Sequence, residues 1–153
     1  MKIDVSRLGP EAQRQVLSKM LVVKARESKY GSRKAVRMMP NGELRRFDSQ
    51  KEARRYDELT ARLRAGMIRD LRLQHTFTLQ EGYVNSDGDA VRAITYKADF
   101  TYWEMPAFWR GYEEQCPADR WNFVVEDVKG VRTEAYKIKK KLMEERGWRV
   151  REI

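Results

Sequence analysis

The sequence predicts an α/β protein in which helices pack on a small mixed sheet. Residues 71–79 and 90–102 alternate between two faces with the period of two that a strand requires. A third apolar stretch, residues 122–129, follows a long loop. Helix start and stop signals lie on both sides of these strands. The resulting order of helix, three strands, helix and strand is typical of helices packed on a mixed sheet.

The first 28 residues are predicted to form a helical extension of a single domain, residues 29–153. A helix begins at Gly9-Pro10, because proline is favoured in the first turn, and apolar residues recur at helical spacing up to about Ala25. The total of 153 residues is enough for one domain with a modest core.

The domain begins with a predicted hairpin and a strongly marked helix. Residues 33–39 and 43–47 flank the turn Pro40-Asn41-Gly42, which favours two paired strands. Ser49 and Glu52 have the spacing of a capping box, so a helix is predicted to begin there and to end at Gly66.

The strands and the last helix follow from the same reasoning. A loop of residues 103–120 separates the second strand from the third. Thr133 is predicted to cap a helix that Gly147 ends, and residues 148–153 form a final short strand. The helical positions expected to face the core are Ala135, Ile138 and Leu142.

The composition limits the partners and the chemistry. Lys and Arg number 32 against 23 Asp and Glu, and the net charge of +9 suits a polyanionic partner or simply a soluble surface. No apolar run approaches the roughly 18 residues of a membrane span, and the N-terminus lacks a hydrophobic signal segment. We therefore expect a cytoplasmic protein that does not associate with a membrane. One cysteine and one histidine are too few for a zinc site, so any metal is expected to have oxygen ligands.

Two carboxylates stand out because of where they lie. Glu52 is within about 40° of the apolar stripe of its helix, which directs it toward the sheet, although a role in the helix cap explains it equally well. Asp99 interrupts an aromatic strand, where carboxylates are depleted. It is either a site residue or the outward-facing partner of Lys97.

A third carboxylate and a lysine end the most apolar strand. Asp127 and Lys129 are two residues apart, so they share the face of Phe123 and Val125. Charges at the end of a buried row cost desolvation free energy unless they pair with each other or bind something. A simple ion pair is the alternative to a site, and Glu126 falls on the opposite face.

Together these residues predict a metal site. Carboxylates close together repel, and a shared divalent cation keeps all of them ionised. We expect Glu52, Asp99 and Asp127 to bind Mg²⁺, with Mn²⁺ as the other candidate. Lys129 would then orient a water or offset the charge that develops on a phosphodiester.

The same residues resemble the PD-(D/E)XK nuclease superfamily. Its pattern is a helix Glu, an Asp at a strand end and Asp/Glu-x-Lys on the adjoining strand, which correspond here to Glu52, Asp99 and Asp127-Val128-Lys129. The chain is also similar to a family of small phage-borne proteins known only as a domain of unknown function. The shared patterns are FDSxxEARRY, LQxxFxLQ, YxADFxY, VEDVKG and TxxYKxKKKL.

The resemblance implies a restriction-endonuclease-like αβββαβ core and assigns the four residues to catalysis. It also suggests a supporting role for Gln74. Ala98 stands where the superfamily name has proline, and neither the N-terminal helix nor the long loop belongs to the nuclease core. Three alternative roles are expected for the loop aromatics Phe108, Trp109 and Tyr112. They would stack on bases, form a dimer contact or fold back on the sheet.

Basic residues supply the expected DNA contacts. Candidates for phosphate binding are Arg55, Tyr136, Lys137, Lys140 and Lys141, with a solvated helix face as the alternative for each. The predicted function is a magnesium-dependent endodeoxyribonuclease, acting as a homodimer on branched DNA in the manner of a Holliday-junction resolvase. The setting is phage recombination or replication in the cytoplasm of a bacterial host. The alternatives are a nicking or restriction-type nuclease on duplex DNA, and a non-cleaving DNA-binding accessory protein.

Overall fold

A computed structural model of the chain describes residues 9–22, 34–128 and 131–153. The chain divides into two compact units, residues 1–58 and residues 59–153. The predicted boundary between residues 28 and 29 lies outside the described residues.

The first unit contains a helix, a hairpin and the start of a second helix. Helix α1 covers Pro10–Val22. Strands β1 (Ala35–Met38) and β2 (Leu44–Phe47) pair antiparallel, as the Pro-Asn-Gly turn predicts. Gly42 has a positive φ of 79°, a conformation that glycine adopts without steric cost. Helix α2 (Gln50–Arg64) begins where the capping box predicts, and it crosses the boundary between the two units.

The second unit is built on a four-stranded mixed sheet. Its strand order is β10 (Val150–Glu152), β9 (Asn122–Asp127), β8 (Phe100–Glu104) and β3 (Ile68–Leu73). Strand β8 runs antiparallel to both β3 and β9, whereas β10 runs parallel to β9. A parallel neighbour needs a crossover connection, which is supplied by helix α3 (Glu134–Glu145).

Bends divide the two long strands that the alternation predicted. Residues 71–79 are split between β3 and β4 (Thr76–Gln80), and residues 90–102 among β6 (Ala90–Val91), β7 (Ile94–Lys97) and β8. Strand β4 pairs with β7, and β5 (Tyr83–Val84) pairs with β6. Three short 3₁₀ turns, Ala107–Trp109, Glu113–Gln115 and Ala118–Arg120, form the long loop before β9.

The main core of the second unit lies between α3 and strands β4, β7, β9 and β10. Its buried residues are Leu79, Tyr96, Ala98, Val125, Tyr136, Met143 and Val150. The prediction that Ala135, Ile138 and Leu142 face this core was wrong for the first two, because Ala135 is exposed and Ile138 is 60% exposed. Tyr136 and Met143, seven residues apart, lie on one face of the helix and are its buried residues.

The predicted α/β class with a mixed sheet is confirmed. Within the described part of the chain, every helix is too short or too polar to cross a bilayer.

Candidate functional site

A shared bend in two hairpin strands positions Asp99. The bend separates β3 from β4 at Gln74 and His75, and β7 from β8 at Ala98 and Asp99. Two backbone hydrogen bonds join its sides: the Gln74 amide donates to the Asp99 carbonyl and the Ala98 amide to the His75 carbonyl, both at 2.9 Å. Gln74 has a φ of 55°, which is uncommon for a residue with a Cβ. A strained backbone conformation therefore supports the turn that carries Asp99.

Asp99 lies beside Asp127 at the ends of neighbouring strands. The last β8–β9 pair is Phe100 with Glu126, and one further step in this antiparallel register puts Asp99 opposite Asp127. Side chains directly opposite each other share a face of the sheet, and like charges in that position are destabilising. One oxygen of Asp99, Oδ2, accepts a hydrogen bond of 2.7 Å from the Val128 amide. The amide thus compensates part of the cost of placing this carboxylate there.

Asp127 is fully buried and is held by a tyrosine. Its side chain has no exposed surface, and the hydroxyl of Tyr96 donates to Oδ2. Burial raises the pKa of Tyr96 above its usual value, as do the hydrogen bond to Asp127 and the negative charge of that residue. The tyrosine therefore remains a proton donor and fixes the orientation of the carboxylate.

A third carboxylate continues the row onto the last strand. Glu152 pairs with Asp127 in the parallel β9–β10 register, so Asp99, Asp127 and Glu152 occupy the same face of three neighbouring strands. Two cations hold Glu152. Lys140 bonds to Oε1 at 2.8 Å, and Arg132 bonds to Oε2. The Tyr136 hydroxyl also donates to Oε1, at 2.9 Å.

The surroundings of Glu152 favour its ionised form. The hydrogen bond from Lys140 has the largest effect, followed by that from Tyr136, and with Arg132 they lower the pKa of Glu152 to about 2. Burial raises the pKa of Tyr136, and its hydrogen bond to Glu152 and the charge of Asp127 raise it further. Tyr136 therefore stays protonated between two carboxylates.

The opposite face of the same strands carries a separate network around a buried glutamate. Glu126 has no exposed surface and accepts a 2.5 Å hydrogen bond from the Tyr102 hydroxyl. Arg151 reaches Glu126 at 3.5 Å and Glu104 at 2.9 Å, and Arg62 bonds to Glu104 at 2.5 Å. Burial raises the pKa of Tyr102, and so does its bond to Glu126, to about 12. This face contains cations and carboxylates in alternation.

Glu52 lies in the first unit, where it serves the helix cap. Its amide donates to Ser49 Oγ at 3.0 Å, and its Oε2 accepts from the Asp48 amide at 3.3 Å. The side chain is buried. The alternative that Glu52 acts in the cap is therefore confirmed, while its role as a metal ligand stays a prediction.

Lys129, the fourth predicted site residue, lies outside the described residues. Over residues 9–22, 34–128 and 131–153, no three His, Cys, Asp or Glu side chains are grouped so as to hold a metal ion. Asp99 and Asp127 are the predicted ligands that the fold brings together. Mg²⁺ is commonly bound through one or two protein carboxylates, completed by water and substrate phosphates.

A protein-family model matches residues 27–153, and its description is DUF1064, a protein of unknown function. The chain belongs to this family. No curated protein and no solved structure matches it. The DUF1064 match covers both units of the fold from residue 27 onward, including the bend at Asp99 and all three carboxylates of the row.

The predicted DNA contacts of this DUF1064 chain differ in their surroundings. Lys137 and Lys141 are exposed on α3, and Lys137 pairs with Glu134 at 2.6 Å. Arg55 is half-buried and pairs with Glu58 at 2.7 Å.

The other three predicted contacts are linked to the carboxylate row. Lys140 and Tyr136 both bond to Glu152, and Gln74 bonds through its backbone to Asp99. The role of all six residues on DNA stays a prediction.

Sequence reasoning missed Tyr96, Arg132 and Glu152. Tyr96 lies in the pattern YxADFxY, three residues before Asp99, and this proximity was the available signal. No sequence signal pointed to Glu152 or Arg132, because their position relative to Asp127 depends on the register of two strands joined by a crossover helix.

Proposed function

We propose that this protein is a metal-dependent DNA endonuclease of the PD-(D/E)XK type that hydrolyses phosphodiesters in branched DNA. The observation that carries the proposal is the juxtaposition of Asp99 and Asp127. Asp99 immediately precedes β8 and Asp127 ends the antiparallel strand β9, one step beyond the last register pair, and Asp127 is fully buried. Two neighbouring carboxylates repel each other, and a shared divalent cation would stabilise both in the ionised form.

The order of elements supports a nuclease core. Helix α2 is followed by strands β3, β8 and β9, then by α3 and the parallel strand β10. This agrees with the αβββαβ order that the resemblance implies. The resemblance implies an Asp at a strand end and Asp/Glu-x-Lys on the adjoining strand; here Asp99 immediately precedes β8, and Asp127 is the last residue of β9.

The donor chemistry of the row fits Mg²⁺ or Mn²⁺. Asp99 and Asp127 supply hard oxygen ligands. When bound, such an ion polarises a phosphoryl oxygen and lowers the pKa of a coordinated water. Tyr96 and the Val128 amide hold the two aspartates in a fixed orientation. Lys129 is the group proposed to orient the attacking water.

The substrate is proposed from charge and from the resemblance. A net charge of +9 favours the phosphate backbone of DNA, and backbone contacts position a protein without reading sequence. Recognition of a branched shape, such as a four-way junction, suits these properties. We propose that a homodimer cuts both strands of the junction, in phage recombination or replication.

A cleavage panel tests the proposal. Four-way junction, flap, linear duplex and single-stranded DNA are incubated with the protein in Mg²⁺, in Mn²⁺ and in EDTA. We expect metal-dependent cutting, fastest on the junction, and loss of cutting in Asp127→Asn and Lys129→Ala while DNA binding is retained. Preferred cutting of linear duplex would instead identify a nicking or restriction-type nuclease. Equal cleavage by wild type and both variants would refute the site.

A non-cleaving DNA-binding protein is the second candidate. The observation in its favour is that both aspartates accept hydrogen bonds from protein groups, Asp127 from Tyr96 and Asp99 from Val128. Such bonds also stabilise a fold without catalysis. Tight, salt-sensitive DNA binding by wild type, with no cleavage in either metal, would identify this function.

A further inference from the structure

Two cations converge on Glu152 at the end of the carboxylate row. Arg132 comes from the segment before α3, and Lys140 from the middle of that helix. The two side chains bond to different oxygens of the carboxylate, Arg132 to Oε2 and Lys140 to Oε1. With one carboxylate between two cations, the cluster carries a net charge of +1.

Both cations retain hydrogen-bond donors beyond those that Glu152 uses. A guanidinium has five N–H donors and an ammonium has three. The Arg132 side chain is 65% exposed and the Lys140 side chain 30% exposed. The cluster therefore exposes the planar guanidinium of Arg132 and the ammonium of Lys140 to solvent. Together these two groups are suited to binding a phosphate.

The cluster lies next to the proposed site of cleavage. Glu152 is paired in register with Asp127, and neighbouring strands are about 5 Å apart. The row thus has carboxylates at the Asp99 end and two cations at the Glu152 end. A DNA strand following the row would have one phosphate at the aspartates and another near Arg132 and Lys140.

We propose that Arg132 and Lys140 together bind a DNA backbone phosphate adjacent to the one that is cut, and that Glu152 is the positioning residue that holds both cations. This inference rests on the proposed function and deepens it. A carboxylate that holds both long side chains beforehand lets them keep the bound phosphate, and with it the neighbouring scissile phosphate, aligned with the proposed site. Tyr136 fixes Glu152 in turn through its hydroxyl.

The first test is the salt dependence of DNA binding in EDTA, where cleavage is blocked. For duplex and junction DNA, the logarithm of the affinity falls with the logarithm of salt concentration, by about 0.9 for each phosphate contact. We expect the double variant Arg132→Ala/Lys140→Ala to have a slope smaller by about 0.9 and to bind roughly tenfold more weakly near 0.15 M salt. Each single variant should have an intermediate effect.

The matched control is the double variant Lys34→Ala/Arg37→Ala. These cations are also ion-paired, with Asp48 and Asp57 respectively, and the change in net charge is the same. We expect the control to keep the wild-type slope. Equal slopes and affinities for the two double variants would overturn the inference, and circular dichroism verifies that each is folded.

The second test separates positioning from charge. Glu152→Gln keeps both cations, so the slope should stay near that of wild type. The released side chains no longer place the phosphate, and kcat should fall roughly tenfold to a hundredfold with little change in KM. An unchanged kcat would refute the positioning role.

The two proposals fail in different ways. Cleavage by wild type with no effect of Arg132 and Lys140 on binding would overturn this inference and leave the nuclease intact. Binding that depends on both cations, without any cleavage, would support the phosphate site and overturn the nuclease. Absence of DNA binding by wild type would overturn both.

Discussion

Glu126 and Asp127 are consecutive residues of β9, and they show how one strand supports two different environments. Both are fully buried and both accept a hydrogen bond from a tyrosine hydroxyl. Glu126 points to the face where Arg151 and Arg62 alternate with carboxylates. Asp127 points to the opposite face, where Asp99 and Glu152 flank it in register.

Under the proposed function, Glu126 is a structural carboxylate and Asp127 is a site carboxylate. A buried charge is tolerated when cations and donors surround it, which describes Glu126. Like charges on neighbouring strands repel, and under the proposed function a bound cation would offset the repulsion between Asp99 and Asp127. Asp127 is therefore the residue at which activity is expected, and Glu126 is the residue at which stability is expected.

The largest expected difference in cleavage rate is between the variants Asp127→Asn and Glu126→Gln. Both changes remove one negative charge from a buried position while keeping the size of the side chain. We expect Mg²⁺-dependent junction cleavage to fall about 100-fold or more for Asp127→Asn and to stay within about threefold of wild type for Glu126→Gln. Initial rates measured well below the melting temperature test this. A similar loss in both variants would abolish the distinction between the two faces.

Glu126→Ala should lower stability more than an exposed substitution does. It leaves the Tyr102 hydroxyl buried without its acceptor, which costs about 2 kcal/mol in the free energy of unfolding. Glu145→Ala, exposed on α3, is the control and should change stability by less than about 0.5 kcal/mol. Urea denaturation measures both, and equal midpoints would show that the Glu126 network contributes nothing to stability.

Tyr96→Phe and Tyr102→Phe compare the two tyrosine hydroxyls that donate hydrogen bonds to Asp127 and Glu126. Each removes one hydroxyl from a buried carboxylate, so we expect each to cost about 1 to 2 kcal/mol of stability. Only Tyr96→Phe should also lower the cleavage rate, by roughly tenfold, because Tyr96 orients Asp127. A loss of activity in Tyr102→Phe at full stability would contradict this assignment.

Acid should weaken the fold through Glu152 and Glu104. Lys140, Tyr136 and Arg132 lower the pKa of Glu152 from 4.5 to about 2. Burial alone would raise the pKa of Glu104, but hydrogen bonds from Arg151 and Arg62 outweigh it and hold that pKa below its usual value. A lowered pKa in the folded state contributes stability above pH 4.5 that is lost as the pH falls toward 2.

Thermal unfolding between pH 6 and pH 2 measures this loss. Glu152→Gln should show a shallower decline of Tm over the same interval, because the amide does not titrate. A decline as steep as that of wild type would show that Glu152 contributes little to acid sensitivity.

Much of the fold follows from local sequence signals. The first hairpin, the start of α2 at Ser49 and the cap of α3 at Thr133 depend on residues within a few positions of each other. Alternation identified the strands around Asp99 and Asp127. It did not reveal the bend at Gln74 and Asp99, because two backbone hydrogen bonds between distant segments maintain that bend.

Some residues of the candidate site could also be predicted from the local sequence. Asp99 and Asp127 stand out because charge interrupts an apolar strand. Tyr96, Arg132 and Glu152 do not, and α3 turned a different face to the core than its apolar stripe predicted. The large ring of Tyr136 packs inside because its hydroxyl finds Glu152 as an acceptor.

The sequence by itself determined the class of the fold, the main strands and helices, the excess positive charge and two of the carboxylates. These depend on periodicity, capping and composition, which act over short distances along the chain. The tertiary structure alone decided that Asp99, Asp127 and Glu152 form one row and that Arg132 and Lys140 meet at its end. Strand register and helix rotation are set by the packing of the whole unit, and no neighbouring residues in the sequence encode them.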